Sequence, residues 1–189
     1  RPSRVMENLY AAIAEMLKVP LSNPDYSPYL QRIKNAKPDA VFLFLPPGAG
    51  TIAFVKGFVD QGLAASGIKL IAQVDLTDED ILDSLGKPAL GLITAFHYSA
   101  AHDSPENKAF VVAYDHAYPK DRPNYMAVGG YDGMQVINLA LTKTHGDANG
   151  DAFMAAVKEL HWISPRGPVT IDPQTRDPIQ NEYIRKVEQ

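Results

Sequence analysis

The stretch with the clearest chemical potential is the loop Pro46-Pro47-Gly48-Ala49-Gly50, which follows the apolar run Val41-Phe42-Leu43-Phe44-Leu45. It reads as a buried strand that ends in a tight, side-chain-poor loop, with a helix directly after it. In open α/β sheets, ligands bind beside such loops, at the carboxyl ends of the strands. The loop lacks both the full glycine spacing of a dinucleotide fingerprint and the lysine of a P-loop, so phosphate binding is not its expected task. Two readings remain: a ligand-facing wall, or prolines that turn the chain beside glycines that permit close packing.

Gln73, Val74 and Asp75 fall just past the next expected strand, on the same sheet edge. Asp75 has the chemistry to accept a hydrogen bond from a ligand amine or hydroxyl; equally, Asp is a common turn residue. Phe96, His97 and Tyr98 follow a third expected strand, where aromatic rings can wall a pocket and stack on a planar ligand, or simply pack a crossover. Tyr131 and Asp132 follow Gly129-Gly130, a pair that lets a backbone or a ligand come close; the plain alternative is helix packing with a solvated Asp. The histidines are 97, 102, 116, 145 and 161, and only His97 and His102 are near each other, at a spacing that fits no common zinc motif. There is no Gly-x-Ser-x-Gly elbow, no carboxylate pair placed by a motif, and no cofactor fingerprint. No catalytic residue, metal site or cofactor is expected.

Composition narrows the class. The 189 residues are 46% hydrophobic and 21% charged, ordinary globular values, and the formal net charge of -4 argues against nucleic acid as a partner. There is no cysteine, which removes disulfides, thiolate metal sites and cysteine nucleophiles. No apolar run is long enough to span a membrane, and no basic segment with an apolar core marks a signal peptide. A mature or truncated product would look the same.

These candidate residues need elements to hold them. Apolar spacing at Val5, Met6, Leu9, Ile13, Met16 and Leu17 predicts a short amphipathic helix. Ser27-Pro28 predicts a helix start, with the helix running to about Ala36. Strands follow at Val41–Leu45, Leu70–Ala72 and Leu90–Thr94, alternating with helices from about Ala49 to Gly62 and from Thr77 to about Leu85. Alternation of this kind indicates a parallel sheet with right-handed crossovers, and continuous apolar strands suit a sheet covered on both faces. After Thr94 three helices come in sequence, from Ser104 to about Tyr118, from about Met126 to Lys143, and one ending near Leu160. They look like an incomplete layer. Pro168–Asp172 and Glu182–Val187 read as two strands joined by a polar loop.

Several segments together resemble the substrate-binding proteins of branched-chain amino acid type ABC importers: Val19-Pro20-Leu21-Ser22-Asn23-Pro24-Asp25-Tyr26-Ser27-Pro28-Tyr29-Leu30-Gln31-Arg32-Ile33, Lys37-Pro38-Asp39-Ala40-Val41, Leu85-Gly86, Gly91-Leu92-Ile93-Thr94, Tyr131-Asp132-Gly133-Met134 and Ser164-Pro165-Arg166-Gly167-Pro168. Their order and spacing match over about residues 19 to 189. The resemblance implies an α/β, type I periplasmic-binding-protein-like fold, in which two lobes close over a ligand. It assigns 19–94 and 166–189 to a second-lobe parallel-sheet domain and 95–165 to a helical remnant of an incomplete first lobe. Residues 1–18 are left as an unassigned N-terminal helix.

Carried over residue by residue, the family's ligand contacts fall on Pro46, Pro47, Gly48, Gln73, Asp75, Phe96, His97, Tyr98 and Tyr131. The family's N-terminal half, with its serine/threonine carboxylate clamp, has no counterpart here. The implied function is a periplasmic solute-binding component, or a truncated part of one, for amino acids, amides or aromatic carboxylates. Its partners would be the small-molecule ligand and, at full length, an ABC permease. The alternatives are a ligand-sensing module of the same fold and a small α/β enzyme. Apolar helix faces that the absent lobe would cover predict a homo-oligomer.

Overall fold

The structure is a computed structural model that describes residues 13–21 and 25–189. Most of the helix expected from Val5 to Leu17 lies outside the described residues, and Ile13–Leu17 are not helical. The first helix, α1 (Ser27–Ala36), carries Pro28 in its first turn and ends at Lys37, whose φ of 48° stops it. Ser27 is its first residue rather than its cap, and the Ser27 N–H donates to Asp25 Oδ1 at 2.9 Å. Strand β1 (Ala40–Leu43), helix α2 (Ala49–Asp60) and strand β2 (Lys69–Gln73) follow, with β1 and β2 paired in parallel, Phe42 opposite Ile71 and Leu43 opposite Ala72.

A 3-10 turn (Val74–Thr77) leads into α3 (Glu79–Leu85), and a second 3-10 turn (Lys87–Ala89) into β3 (Ile93–Phe96). Asp78 Oδ1 accepts the Asp80 N–H at 2.9 Å, while the Thr77 hydroxyl pairs with that of Thr94 at 3.0 Å. The start of α3 is therefore capped by Asp78 and not by Thr77. Helices α4 (Pro105–Ala117), α5 (Tyr125–Lys143) and α6 (Gly150–Val157) come next. Each has a side-chain cap of the favoured kind, from Ser104, Asn124 and Asn149.

The last four strands are β4 (His161–Ser164), β5 (Gly167–Ile171), β6 (Pro178–Ile179) and β7 (Tyr183–Lys186). A four-stranded sheet has the order β1-β2-β3-β7, and a three-stranded antiparallel sheet the order β4-β5-β6. The two expected C-terminal strands thus exist but enter different sheets. The hairpin β4–β5 turns through Pro165 and Arg166, with Ser164 opposite Gly167. Gly167 sits at φ 99°, and a Cβ there would lie 2.8 Å from the Tyr183 hydroxyl. Only glycine meets both demands without strain.

The described chain divides into two compact units. The first holds the described residues up to Thr77, with Ile81–Thr94 and Lys186–Gln189; the second holds Asp78–Asp80 and Ala95–Arg185. Residues 166–185 therefore group with the helices α4 to α6. In the first unit, Leu30 and Ile33 of α1, Phe54, Val55 and Phe58 of α2, and Leu43, Leu70 and Ala72 of the strands form one core. The other face of that sheet is open: Phe42 is 65% and Phe44 73% exposed, beside a partly exposed Ile71. The expectation of cover on both faces is met on one face only. The second unit has two smaller cores, one built on Tyr98, Phe110 and Val128, the other on Ala140, Ala156, Val157, Leu160 and Ile171.

Candidate functional site

In the first unit, the loop after β1 shapes a cavity of about 540 Å³ lined by Leu45, Pro46, Pro47, Gly48, Gly50, Thr51 and Tyr26, among others. Thr51 fixes the loop, because its buried hydroxyl donates to the Pro46 carbonyl at 2.7 Å. Gly48 takes φ 140°, backbone that L side chains rarely adopt, and so allows the chain to turn from the two prolines into α2. Gln73 is the last residue of β2 and Asp75 lies in the 3-10 turn behind it. The Gln73 side-chain amide donates to Asp75 Oδ2, so these two candidates are each other's partners.

In the second unit, three rings meet. Phe96 and His97 have ring centroids 4.2 Å apart, Tyr125 stands edge-on to Phe96 at 5.0 Å, and Tyr125 is perpendicular to His97 at 6.4 Å. All three are half-buried. Tyr125 is a member that sequence reasoning missed. The resemblance carried a ligand contact to Tyr131, whereas the aromatic residue at the helix start is Tyr125: Asn124 Oδ1 takes the N–H groups of Met126 and Ala127, and α5 begins there. The signal was present as an Asn followed by an aromatic residue. Tyr131, six residues further on, is 49% exposed and makes its ring contact with Phe110 at 5.1 Å.

Tyr98 takes the opposite direction from its neighbours. It is 2% exposed, its hydroxyl donates to Asn107 Oδ1 at 3.1 Å, and its ring stands edge-on to Phe110. Burial, ahead of the nearby Glu79 charge, pushes its phenol pKa up. Tyr98 therefore serves the core, and Phe96 and His97 remain as the reachable rings of this segment. The imidazole of His97 is pushed down to about 4, chiefly by burial and then by the Arg166 charge, against a smaller opposing effect of Asp132. It is neutral at pH 7.

Behind the rings lies a buried polar knot. Asp132 is 3% exposed, where a solvated Asp was one expectation. Its Oδ2 accepts from Arg166 Nε at 2.6 Å and from the Ser164 hydroxyl at 2.9 Å, and its Oδ1 accepts from Trp162 Nε1 at 3.2 Å. Arg166 Nη1 donates further to Gln180, and the Arg166 carbonyl accepts from the Tyr183 hydroxyl at 2.7 Å. One carboxylate thus ties α5 to the β4–β5 hairpin. Elsewhere in this unit Arg185 pairs with Glu79 at 2.7 Å, yet burial outweighs that pairing and holds the Glu79 pKa above its usual range. Among the described residues no group of three or more His, Asp or Glu side chains is placed to hold a metal ion.

Residues 4–189 match a family model described as periplasmic binding protein. The chain belongs to this periplasmic binding protein family. The match takes in most of the segment 1–18 that the resemblance left unassigned. Over 176 residues the chain is 46% identical to Leu/Ile/Val-binding protein homolog 6 of Brucella melitensis biotype 1, covering 93% of this chain and 45% of that protein.

Two solved relatives of this periplasmic binding protein are solute-binding proteins of ABC transporters. That of Rhodopseudomonas palustris BisB5, in complex with 3,4-dihydroxybenzoic acid, is 55% identical with a TM-score of 0.84, covering 94% of this chain and 48% of that one. That of R. palustris HaA2, in complex with p-hydroxybenzoic acid, is 41% identical with a TM-score of 0.89, covering 97% and 51%. The chain therefore spans about half the length of these relatives, and over that half its fold is the type I periplasmic-binding-protein fold.

Proposed function

We propose that this chain is part of the solute-binding component of an ABC importer, working outside the cytoplasm and delivering its solute to a permease, with no chemical step of its own. The solute is a small aromatic carboxylate. The observation that carries the ligand class is the half-buried cluster Phe96–His97–Tyr125, in a chain 55% and 41% identical to proteins solved with hydroxylated benzoic acids. Flat rings offering their faces and edges suit a planar ligand. Taken by itself, the first unit offers the loop Pro46–Gly48 and the Gln73–Asp75 pair as proposed ligand contacts, and the second unit offers the exposed Tyr131.

A second reading, a branched-chain amino acid, is favoured by the Brucella relative's name. Both readings are tested by saturation-transfer NMR of the chain against benzoate, 4-hydroxybenzoate, 3,4-dihydroxybenzoate, leucine and valine. Transfer to the aromatic acids but not to leucine or valine supports the aromatic reading. Transfer to leucine and valine alone reverses it.

A further inference from the structure

We propose that His97 reads a ring hydroxyl, its imidazole being the hydrogen-bond partner that separates a hydroxylated benzoate from benzoate itself. The inference rests on the aromatic-carboxylate reading above and adds the residue that sets its selectivity.

The geometry of the cluster gives His97 the polar role. Phe96 presents only carbon, and the tilt of 39° between the Phe96 and His97 rings leaves the imidazole stacked but not parallel. The ring of Tyr125 stands at 89° to the imidazole, closing a second side. A planar ligand lying against these rings meets the two His97 nitrogens as the polar atoms of the Phe96–His97 pair.

The chemistry of the surroundings then decides which end of the ligand comes here. The nearby cation, Arg166, is already neutralised. Its Nε binds Asp132 at 2.6 Å, its Nη1 binds Gln180, and the side chain is 9% exposed. Asp132 in turn accepts three donors. The knot behind the rings presents no unpaired charge, so it offers no counter-ion to a carboxylate. A carboxylate accepts hydrogen bonds and cannot donate, whereas a phenolic hydroxyl does both. The neutral imidazole, with one donor and one acceptor nitrogen, matches the hydroxyl. It matches the carboxylate poorly, because that partner is best met by two donors. Burial above all disfavours a cation at His97, which keeps the imidazole in the matching form.

The test is protein-observed NMR on the whole chain, on His97→Phe and on His97→Gln, titrated with 4-hydroxybenzoate and with benzoate up to about 20 mM, a range that covers tight and weak binding alike. In the unmodified chain 4-hydroxybenzoate shifts the His97 ring resonances and binds about 5- to 10-fold more tightly than benzoate, the ratio expected from one net hydrogen bond. His97→Phe removes that ratio, and His97→Gln keeps part of it. Equal binding of the two acids to the unmodified chain overturns the proposal, as does a preference that survives in His97→Phe. Shifts at Gly48 with none at His97 also overturn it, while the aromatic-carboxylate reading stands. If neither acid shifts any resonance, both fall together.

Discussion

Replacing Asp132 by alanine is the sharpest test of how the second unit is held. The side chain is 3% exposed and gathers three donors from two elements, so its loss leaves a nearly buried guanidinium without its counter-ion. Removing one partner of a buried ion pair typically destabilises by about 3–5 kcal/mol. The Ser164 hydroxyl is fully buried and loses its acceptor as well, a cost of about 1–3 kcal/mol that overlaps with the first. We expect Asp132→Ala to lower stability by about 4 kcal/mol. We expect Asp132→Asn to lower it by about half as much, since the amide keeps one acceptor but gives up the charge.

The double variant Asp132→Leu with Arg166→Met discriminates between charge loss and mere disturbance. Apolar replacement of both partners of a buried pair is often neutral or stabilising. Here Trp162, Ser164 and Gln180 lose partners, so the double variant should sit within about 2 kcal/mol of the unmodified chain and well above Asp132→Ala. Trp162 is the only tryptophan, it lies in β4, and its Nε1 donates to Asp132. Urea unfolding followed by its fluorescence therefore reports on this unit directly. A loss below about 1 kcal/mol in Asp132→Ala, or a double variant less stable than the single one, would refute the reasoning.

Three further outcomes are expected. Because the His97 pKa drops from 6.5 to about 4 on folding, the unfolded chain binds the extra proton between those values, and stability should fall as pH is lowered through that window. The full shift is worth about 3.4 kcal/mol, screened at this half-buried ring to roughly 1–2 kcal/mol, and His97→Phe should flatten the profile in thermal melts from pH 7 to 4. Gly167→Ala should destabilise by about 1–3 kcal/mol in the same assay, and Tyr183→Phe in combination should not restore it, since the strain of φ 99° remains. Light scattering should find a dimer or larger species at tens of micromolar, because Phe42, Phe44, Met126, Met134 and Ile137 are exposed, and a clean monomer would count against it.

Local elements were easy to read because their signals are local. Ser104-Pro105 and the Asn124 cap lie within a few residues of the helices they start, and α4 and α5 begin within one residue of expectation. The strand β4 was missed because His161–Ser164 is four residues long and directly follows a helical pattern, although Ser164-Pro165-Arg166-Gly167 carries the marks of a tight turn. The C-terminal strands were found, but not that they enter different sheets. Which strand a chain segment joins depends on partners far away, as when Val187 bonds to Leu92. Exposure was misjudged for the same reason. The run Val41–Leu45 is apolar throughout, and nothing in it says that Phe42 and Phe44 face an uncovered side.

The candidate residues divide along the same line. Position in the sequence was enough to put Pro46–Gly48, Gln73, Asp75, Phe96 and His97 at or just past strand ends, because that needs only sequence order. It was not enough to tell His97 from Tyr98, adjacent residues that alternate between the ring cluster and the core. Nor was it enough to link Asp132 with Arg166, 34 residues apart, whose contact exists only once α5 and the β4–β5 hairpin are folded. Burial, more than this pair, keeps His97 neutral, while the pair occupies the charge of Arg166. The structural knot and the selectivity of the ring cluster are therefore one problem: Asp132 neutralises Arg166, and a neutralised Arg166 leaves the recognition of the ligand's hydroxyl to an uncharged imidazole.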